Sequence, residues 1–305
     1  MSRDDYPAEF VLDSIEAIME TSKQPKVLLF DIGGVCVLSP MQGILHYELA
    51  HSIPPGWVNY SLSAASPHGH WHRLERGELS LNSTFFQGFS SDLHNPSVWT
   101  SFYRIKARKA NPGLSEKVPP VPSIDAEFLF WEMMRCSRDF DPWIYPALQR
   151  LKASGRYILA ALSNTVIFPP DHPYANPPPE KDIRACFDVF VSSAHVGLRK
   201  PDPQIYTHTL SVLSSFALSH ASSPRGQHLG WASGVRADEV VFLDDIGENL
   251  KAAKALAFRT IKVPLGRSFE AVDELERITG LSLAGTHPRV PITVPPESTR
   301  AAAKL

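Results

Sequence analysis

Cysteine is scarce in this chain, at 3 of 305 residues. Cys36, Cys136 and Cys186 lack the paired spacing of a zinc site, and three cannot all pair with one another. They read as reduced thiols of an intracellular protein, with the cytoplasm as the expected location. Long apolar runs are missing too. None approaches the roughly 18 residues that a membrane span needs, so no membrane partner is expected. The start, "MSRDDYPAEFVLDSIEAIMET", is acidic and interrupted, unlike a signal peptide. Nor is there an excess of one charge. Lys and Arg total 30 against 32 Asp and Glu, a net charge of −2. That balance argues against nucleic acid as a partner. It leaves room for a small molecule with a phosphate group, which needs only local charge.

What the chain does have is short apolar runs that end in polar residues. They are "KVLLFD" (26–31), "YILAALSN" (157–164), "DVFVSS" (188–193) and "EVVFLDD" (239–245), with "RTIKV" (259–263) as a weaker fifth. Each has strand length and none alternates, the pattern of strands buried on both faces of a parallel sheet. Helical patterns lie between them at 145–155, 202–213 and 247–258, the second opening on Asp-Pro. The alternation predicts an α/β fold with a Rossmann-like parallel-sheet core. Residues 41–140 break it with aromatic-rich pieces such as "WHRLERGELSLNSTFFQGF", read as an inserted, mainly α-helical cap. The expected division is core at 1–40, cap at 41–140, core again at 141–280 and a weakly ordered tail at 281–305. Two proline-rich stretches, 111–123 and 166–181, are expected as surface loops.

Ligands of open α/β sheets bind at the carboxyl ends of the strands. Asp31 closes the first run, Ser163 and Asn164 the second, Asp244 and Asp245 the fourth, and "GLRKPD" after the third supplies Lys200. Together they describe an Mg²⁺-assisted phosphoryl site. Asp31 and one of Asp244 and Asp245 could hold the ion. A carboxylate can also attack phosphorus and split one hard step into two. Lys200 offsets the repulsion between anions, and Ser163 and Asn164 can bind phosphate oxygens. The glycines after Asp31 let the backbone turn and approach the ion, with the Gly33 carbonyl free as a ligand. A positive φ is expected at Gly33 for that turn.

In order and spacing, "FDIGGV", "LSNT", "GLRKPD" and "VFLDDIGENL" resemble the four motifs of the haloacid dehalogenase-like (HAD) hydrolases. The nearer resemblance is to the branch that holds the N-terminal phosphatase domain of soluble epoxide hydrolases. No epoxide hydrolase half is expected, because the chain ends soon after this region. The resemblance implies a capped Rossmann-like core and a Mg²⁺-dependent phosphatase. It makes Asp31 the nucleophile, Lys200 the stabilising cation, and Ser163 and Asn164 the phosphate binders. It makes Asp31, the Gly33 carbonyl and Asp245 the metal ligands, with Asp244 in support. One departure stands out: phosphatases of this family usually carry a second Asp two residues after the nucleophile, as general acid, and this chain has Gly33. Two rivals remain, a 2-haloacid dehalogenase and a non-catalytic phosphate- or metabolite-binding protein on the same scaffold.

Taken singly, each of these residues has a plainer reading. Lys200 alone is a solvated surface lysine, and Asp244 could cap the helix at 247. Glu75 and Glu78 with Arg73 and Arg76 read as a solvated helix end. His46, His51, His68, His70 and His72 read as surface residues, not a zinc site.

Overall fold

The structure is a computed structural model and describes residues 24–292. The apolar runs form strands Val27–Phe30 (β1), Ile158–Ser163 (β2), Val189–Ser192 (β3), Val240–Asp244 (β4) and Arg259–Lys262 (β5). They make one parallel sheet in the order β3-β2-β1-β4-β5. Every residue of β1, β2 and β4 is buried. Strand alternation splits each between two cores. Val27 and Leu29 face one side with Ile158, Ala160 and Phe242. Leu28 and Phe30 face the other with Leu159, Val241 and Leu243. β5 is one of the two edge strands and reads weakly because it needs one buried residue, Ile261, where a central strand needs all.

Helices Pro40–Ala50 (α1), Trp57–Ala65 (α2), His70–Glu75 (α3), Ser83–Leu93 (α4), Pro96–Phe102 (α5) and Ala126–Cys136 (α6) lie between β1 and β2. They share a core of their own, in which Trp57, Phe85, Phe89, Trp99 and Phe130 are buried. Local sequence starts several of them. Ser39 accepts from the Met41 N–H ahead of Pro40, and Asn82, Asn95 and Asp125 cap α4, α5 and α6 through side-chain oxygens. Ile144–Ser154 (α7) and Phe269–Thr279 (α10) cover one sheet face. Pro203–Ser219 (α8) and Gly247–Ala255 (α9) cover the other. No described helix is long and apolar enough to cross a membrane.

Residues 281–292 differ from the expected weakly ordered tail. Leu283 is buried, Trp143 Nε1 donates to the Pro288 carbonyl at 3.1 Å, and the Ile292 N–H reaches the Gly266 carbonyl at 2.9 Å. The proline and polar content hid an apolar anchor and a partner for the buried indole. Residues 293–305, and 1–23 at the other end, lie outside the described part.

Candidate active site

β1 sits between β2 and β4, so the carboxyl ends of three neighbouring strands present Asp31, Ser163 and Asp244 side by side. Lys200 is brought to them by Asn164. The Asn164 Oδ1 accepts from the Lys200 N–H at 2.8 Å, and its Nδ2 donates to the Lys200 carbonyl at 3.1 Å. The Asn164 carboxamide thus holds the lysine main chain with both its oxygen and its nitrogen. The Lys200 side chain is 1% exposed, which rules out the surface reading. Its Nζ lies 2.8 Å from Asp31 Oδ1 and 2.7 Å from Asp244 Oδ2.

The two adjacent aspartates are held differently. Asp244 accepts from Lys200, from the Ile246 N–H at 2.7 Å and from Asn249 Nδ2 on both oxygens. Its lone pairs are engaged in ordering the turn into α9. Asp245 is 6% exposed, and its Oδ1 is buried with no hydrogen-bond partner. A buried carboxylate oxygen left without a donor is costly, and a cation would satisfy it. Asp31 Oδ1 takes the Ile32 N–H at 2.7 Å as well as Lys200. Its Oδ2 takes no hydrogen bond from the described residues. Ser163 Oγ has only a 3.4 Å contact with the Asn164 carbonyl, so its hydroxyl is available to a ligand.

Three carboxylates are therefore buried together, and the one buried ammonium pairs with two of them, Asp31 and Asp244. Burial, reinforced by Asp244, pushes Asp31 up to about 7 even against the pull of Lys200. Burial and then the charges of Asp244 and Asp31 push Asp245 well above the carboxylate range. Burial also works against the charge of Lys200, but Asp244 and Asp31 outweigh it and hold its pKa above the ordinary lysine value. Another cation in the site would favour the ionised forms of Asp31 and Asp245. Asp31, Asp244 and Asp245 offer oxygens within 4.8 Å of one another. Mg²⁺ prefers such ligands at about 2.0–2.1 Å and keeps several waters, so these residues fit it. Among the described residues no histidine or cysteine joins a cluster of this kind.

The loop after Asp31 corrects one expectation. The positive φ falls on Gly34, at 79°, and not on Gly33. A Cβ on Gly34 would sit 2.6 Å from Asp245 Oδ2, while one on Gly33 would meet Pro40 Cδ at 3.3 Å. Gly34 is the position that brings the backbone against Asp245. We expect Gly34→Ala to displace the Asp245 carboxylate and weaken Mg²⁺ binding about tenfold or more, read by calorimetric titration. Unchanged affinity would separate Asp245 from the metal. The Gly33 carbonyl accepts no hydrogen bond from the described residues, which leaves it available.

The site opens into a cavity of about 640 Å³ between the sheet edge and the cap. Sequence reasoning missed several of its walls. Glu78 is the half-exposed ion-pair partner of Arg73 and Arg76, as the pattern suggested. Glu75 is different: it is 7% exposed and joins Arg199 of the core at 2.8 Å. The one available signal was that Arg199 precedes Lys200. His72 is 3% exposed, not a surface residue. Burial, with Arg199 and Arg76 adding to it, lowers His72 to about 4, so it is neutral at pH 7 and a poor proton donor.

A capped parallel sheet with this motif order at its carboxyl edge resembles the HAD-like hydrolases. The chain is 27% identical over 271 residues to bifunctional epoxide hydrolase 2 of Rattus norvegicus, covering 88% of this chain and 41% of that protein. It is 28% identical over 279 residues to acyl-CoA dehydrogenase family member 10 of Mus musculus, covering 90% of this chain and 21% of that protein. The chain thus spans less than half of the curated relatives it matches. Among solved structures, a HAD family enzyme of Bacteroides thetaiotaomicron in complex with magnesium and inorganic phosphate aligns with a TM-score of 0.47 at 17% identity, over 81% of this chain and 98% of that one. An L-2-haloacid dehalogenase aligns with a TM-score of 0.42 at 19% identity, over 80% and 87%. No family model matches the chain.

Proposed function

We propose that this protein is a Mg²⁺-dependent phosphatase that hydrolyses a small phosphate monoester through an aspartyl-phosphate on Asp31. The observation that carries this reading is the buried cluster of Asp31, Asp244 and Asp245, in which Lys200 pairs with the first two and Asp245 Oδ1 lacks a hydrogen-bond partner. Dehalogenation gives such a cluster no cation to hold, so the metal-dependent reading is preferred to the dehalogenase. Asp31, Asp245 and the Gly33 carbonyl would hold Mg²⁺, which supplies charge neutralisation at the phosphate. Asp31 Oδ2, free of protein donors, attacks phosphorus while Lys200 steadies Oδ1 and the incoming anion. Ser163 Oγ donates to a phosphate oxygen. Asn164 contributes through the position it gives Lys200. Attack breaks the bond to the leaving oxygen, and water then displaces phosphate from Asp31. Asp244 supports both stages by fixing Lys200.

The test is a metabolite panel of phosphate esters assayed with Mg²⁺ and with EDTA, on the wild type and Asp31→Asn. Turnover that ignores EDTA would argue against the metal role, and absence of turnover on every ester would favour the non-catalytic reading.

Gly33 sets the expected substrate order. No carboxyl stands two residues beyond Asp31 to protonate the leaving oxygen, and such catalysis is typically worth about 10²–10⁴ in rate. Aryl, acyl and anomeric sugar phosphates, which leave as stabilised anions, should therefore outpace alkyl phosphates in single-turnover measurements. Gly33→Asp should raise alkyl phosphate turnover most, since the backbone there is not left-handed and Pro40 need yield only a few tenths of an ångström. Equal single-turnover rates on aryl and alkyl esters would place an acid elsewhere in the cavity.

A further inference from the structure

The cavity has a second charged end that hydrolysis of a simple ester does not use. Arg138, just past α6, places its guanidinium carbon 4.3 Å from the centre of the Tyr174 ring and 5.4 Å from that of Phe168. Both rings belong to the proline-rich loop after β2. Trp131 of α6 stacks on the same loop, 4.6 Å from His172 and 6.4 Å from Phe168. A cap helix and a core loop thus frame one guanidinium with aromatic faces, a favourable setting for a cation.

The frame supplies no acceptor. Arg138 Nε is buried without a hydrogen-bond partner. Among the described residues no carboxylate forms an ion pair with it. Asp182, whose charge it feels, gives both its oxygens to Arg184. Lys181 lines the same cavity, is exposed, and has no carboxylate partner among the described residues. At the reacting end, by contrast, Arg199 is matched by Glu75 and Lys200 by Asp31 and Asp244. Around the phosphate site the cations are matched, and at the loop Arg184 takes Asp182, which leaves Arg138 and Lys181 without an ion-pair partner among the described residues. A guanidinium with unused donors on a cavity wall binds a carboxylate or phosphate through charge-assisted bonds, and its planar fork suits both.

We propose that the substrate carries a second anionic group, a carboxylate or a second phosphate, remote from the ester phosphate, and that Arg138 with Lys181 receives it. This rests on the phosphatase reading of the Asp31 end. A cavity of about 640 Å³ has room for a molecule that reaches both ends.

The test uses non-hydrolysable phosphonates on the Mg²⁺-loaded wild type. Alkylphosphonates are compared by calorimetric titration with ω-carboxyalkyl and ω-phosphonoalkyl phosphonates in series of matched, increasing chain length. At the best length the two-ended probe should bind about tenfold or more tightly than its one-ended partner. Whether the carboxylate or the phosphonate series gains more identifies the second group. Arg138→Gln should collapse that ratio, and Arg138→Lys should keep part of it. Lys181→Ala, at an exposed position, reports on the same ratio in a protein whose folding is not at stake. Hydrolysis of p-nitrophenyl phosphate is measured in parallel. Turnover with no preference for two-ended probes overturns the second-anion site and leaves the phosphatase. A preference without turnover of any ester keeps the anion site and removes the phosphatase. A preference that survives both Arg138→Gln and Lys181→Ala means that the aromatic frame only clasps loop to cap, and overturns the assignment.

Discussion

Asp31→Asn should lower phosphate ester hydrolysis by about 10⁴-fold or more, as removal of a covalent nucleophile does elsewhere. The same variant should gain stability in the metal-free state, and the gain should depend on pH. Burial raises Asp31 from an ordinary value of 3.8 to about 7. Below pH 4 the folded and unfolded chains both hold the proton. Between 4 and 7 only the folded chain keeps it, so stability falls as pH rises. Above about 7 the folded chain holds a charged, poorly solvated carboxylate, and the loss is complete. The size is a few kcal/mol, at about 1.4 kcal/mol per pKa unit. Thermal melts in EDTA from pH 5 to pH 8.5 should therefore show the wild type losing stability relative to Asp31→Asn. Mg²⁺ should restore the wild type most at the alkaline end, where it no longer competes with the proton. Full activity of Asp31→Asn, or parallel melting curves across that range, would remove Asp31 from the centre of the mechanism.

Lys200 should show the second large effect, on rate and fold together. Its ammonium is buried between two carboxylates, so Lys200→Ala leaves Asp31 and Asp244 without their counter-charge. Breaking a buried pair from one side typically costs about 3–5 kcal/mol. Turnover should drop by about 10²–10³, the scale of losing one preorganised group at a developing charge. Lys200→Met keeps the apolar stem and should cost less stability for the same loss of rate. If both prove too unstable, pairing Lys200→Met with Asp244→Asn removes one charge of each sign and recovers a folded protein for assay. Wild-type turnover in any of these folded variants would reduce Lys200 to a structural post. Mg²⁺ should raise the melting temperature of Lys200→Met more than that of wild type, because the ion then meets an Asp31 carboxylate with no ammonium beside it.

The sheet was legible because buried parallel strands write themselves as unbroken apolar runs, and the site was legible because each run ends on the residue it presents. Asp31, Ser163 and Asp244 lie at strand ends, where chain position and spatial position coincide. Asn164 was legible as a site residue but not in its task, since nothing local says that its carboxamide faces the Lys200 main chain. Glu75, His72 and Arg138 were less legible for the same reason. Each sits on a cap segment whose local pattern is that of a polar surface, and each is defined by a partner from a distant part of the chain. The positive φ at Gly34 was assigned one residue early, because two consecutive glycines give no clue as to which of them turns.

The chain leaves the core through residues 31–39 and returns through 137–143, and the two threads are hydrogen-bonded to each other. The Leu38 N–H reaches the Asp139 carbonyl at 2.9 Å and the Asp141 N–H the Cys36 carbonyl at 3.0 Å. The leading thread is also the loop that follows Asp31, with Pro40 of α1 against Gly33. The cap is therefore tethered like a door on a single stiff strap rather than on two independent cords. Tilting it bends that strap as a unit, and the bend is delivered within a few residues of Asp31. A tilt of the cap would therefore reach the mouth of the cavity and the Asp31 carboxylate together, along one mechanical coordinate.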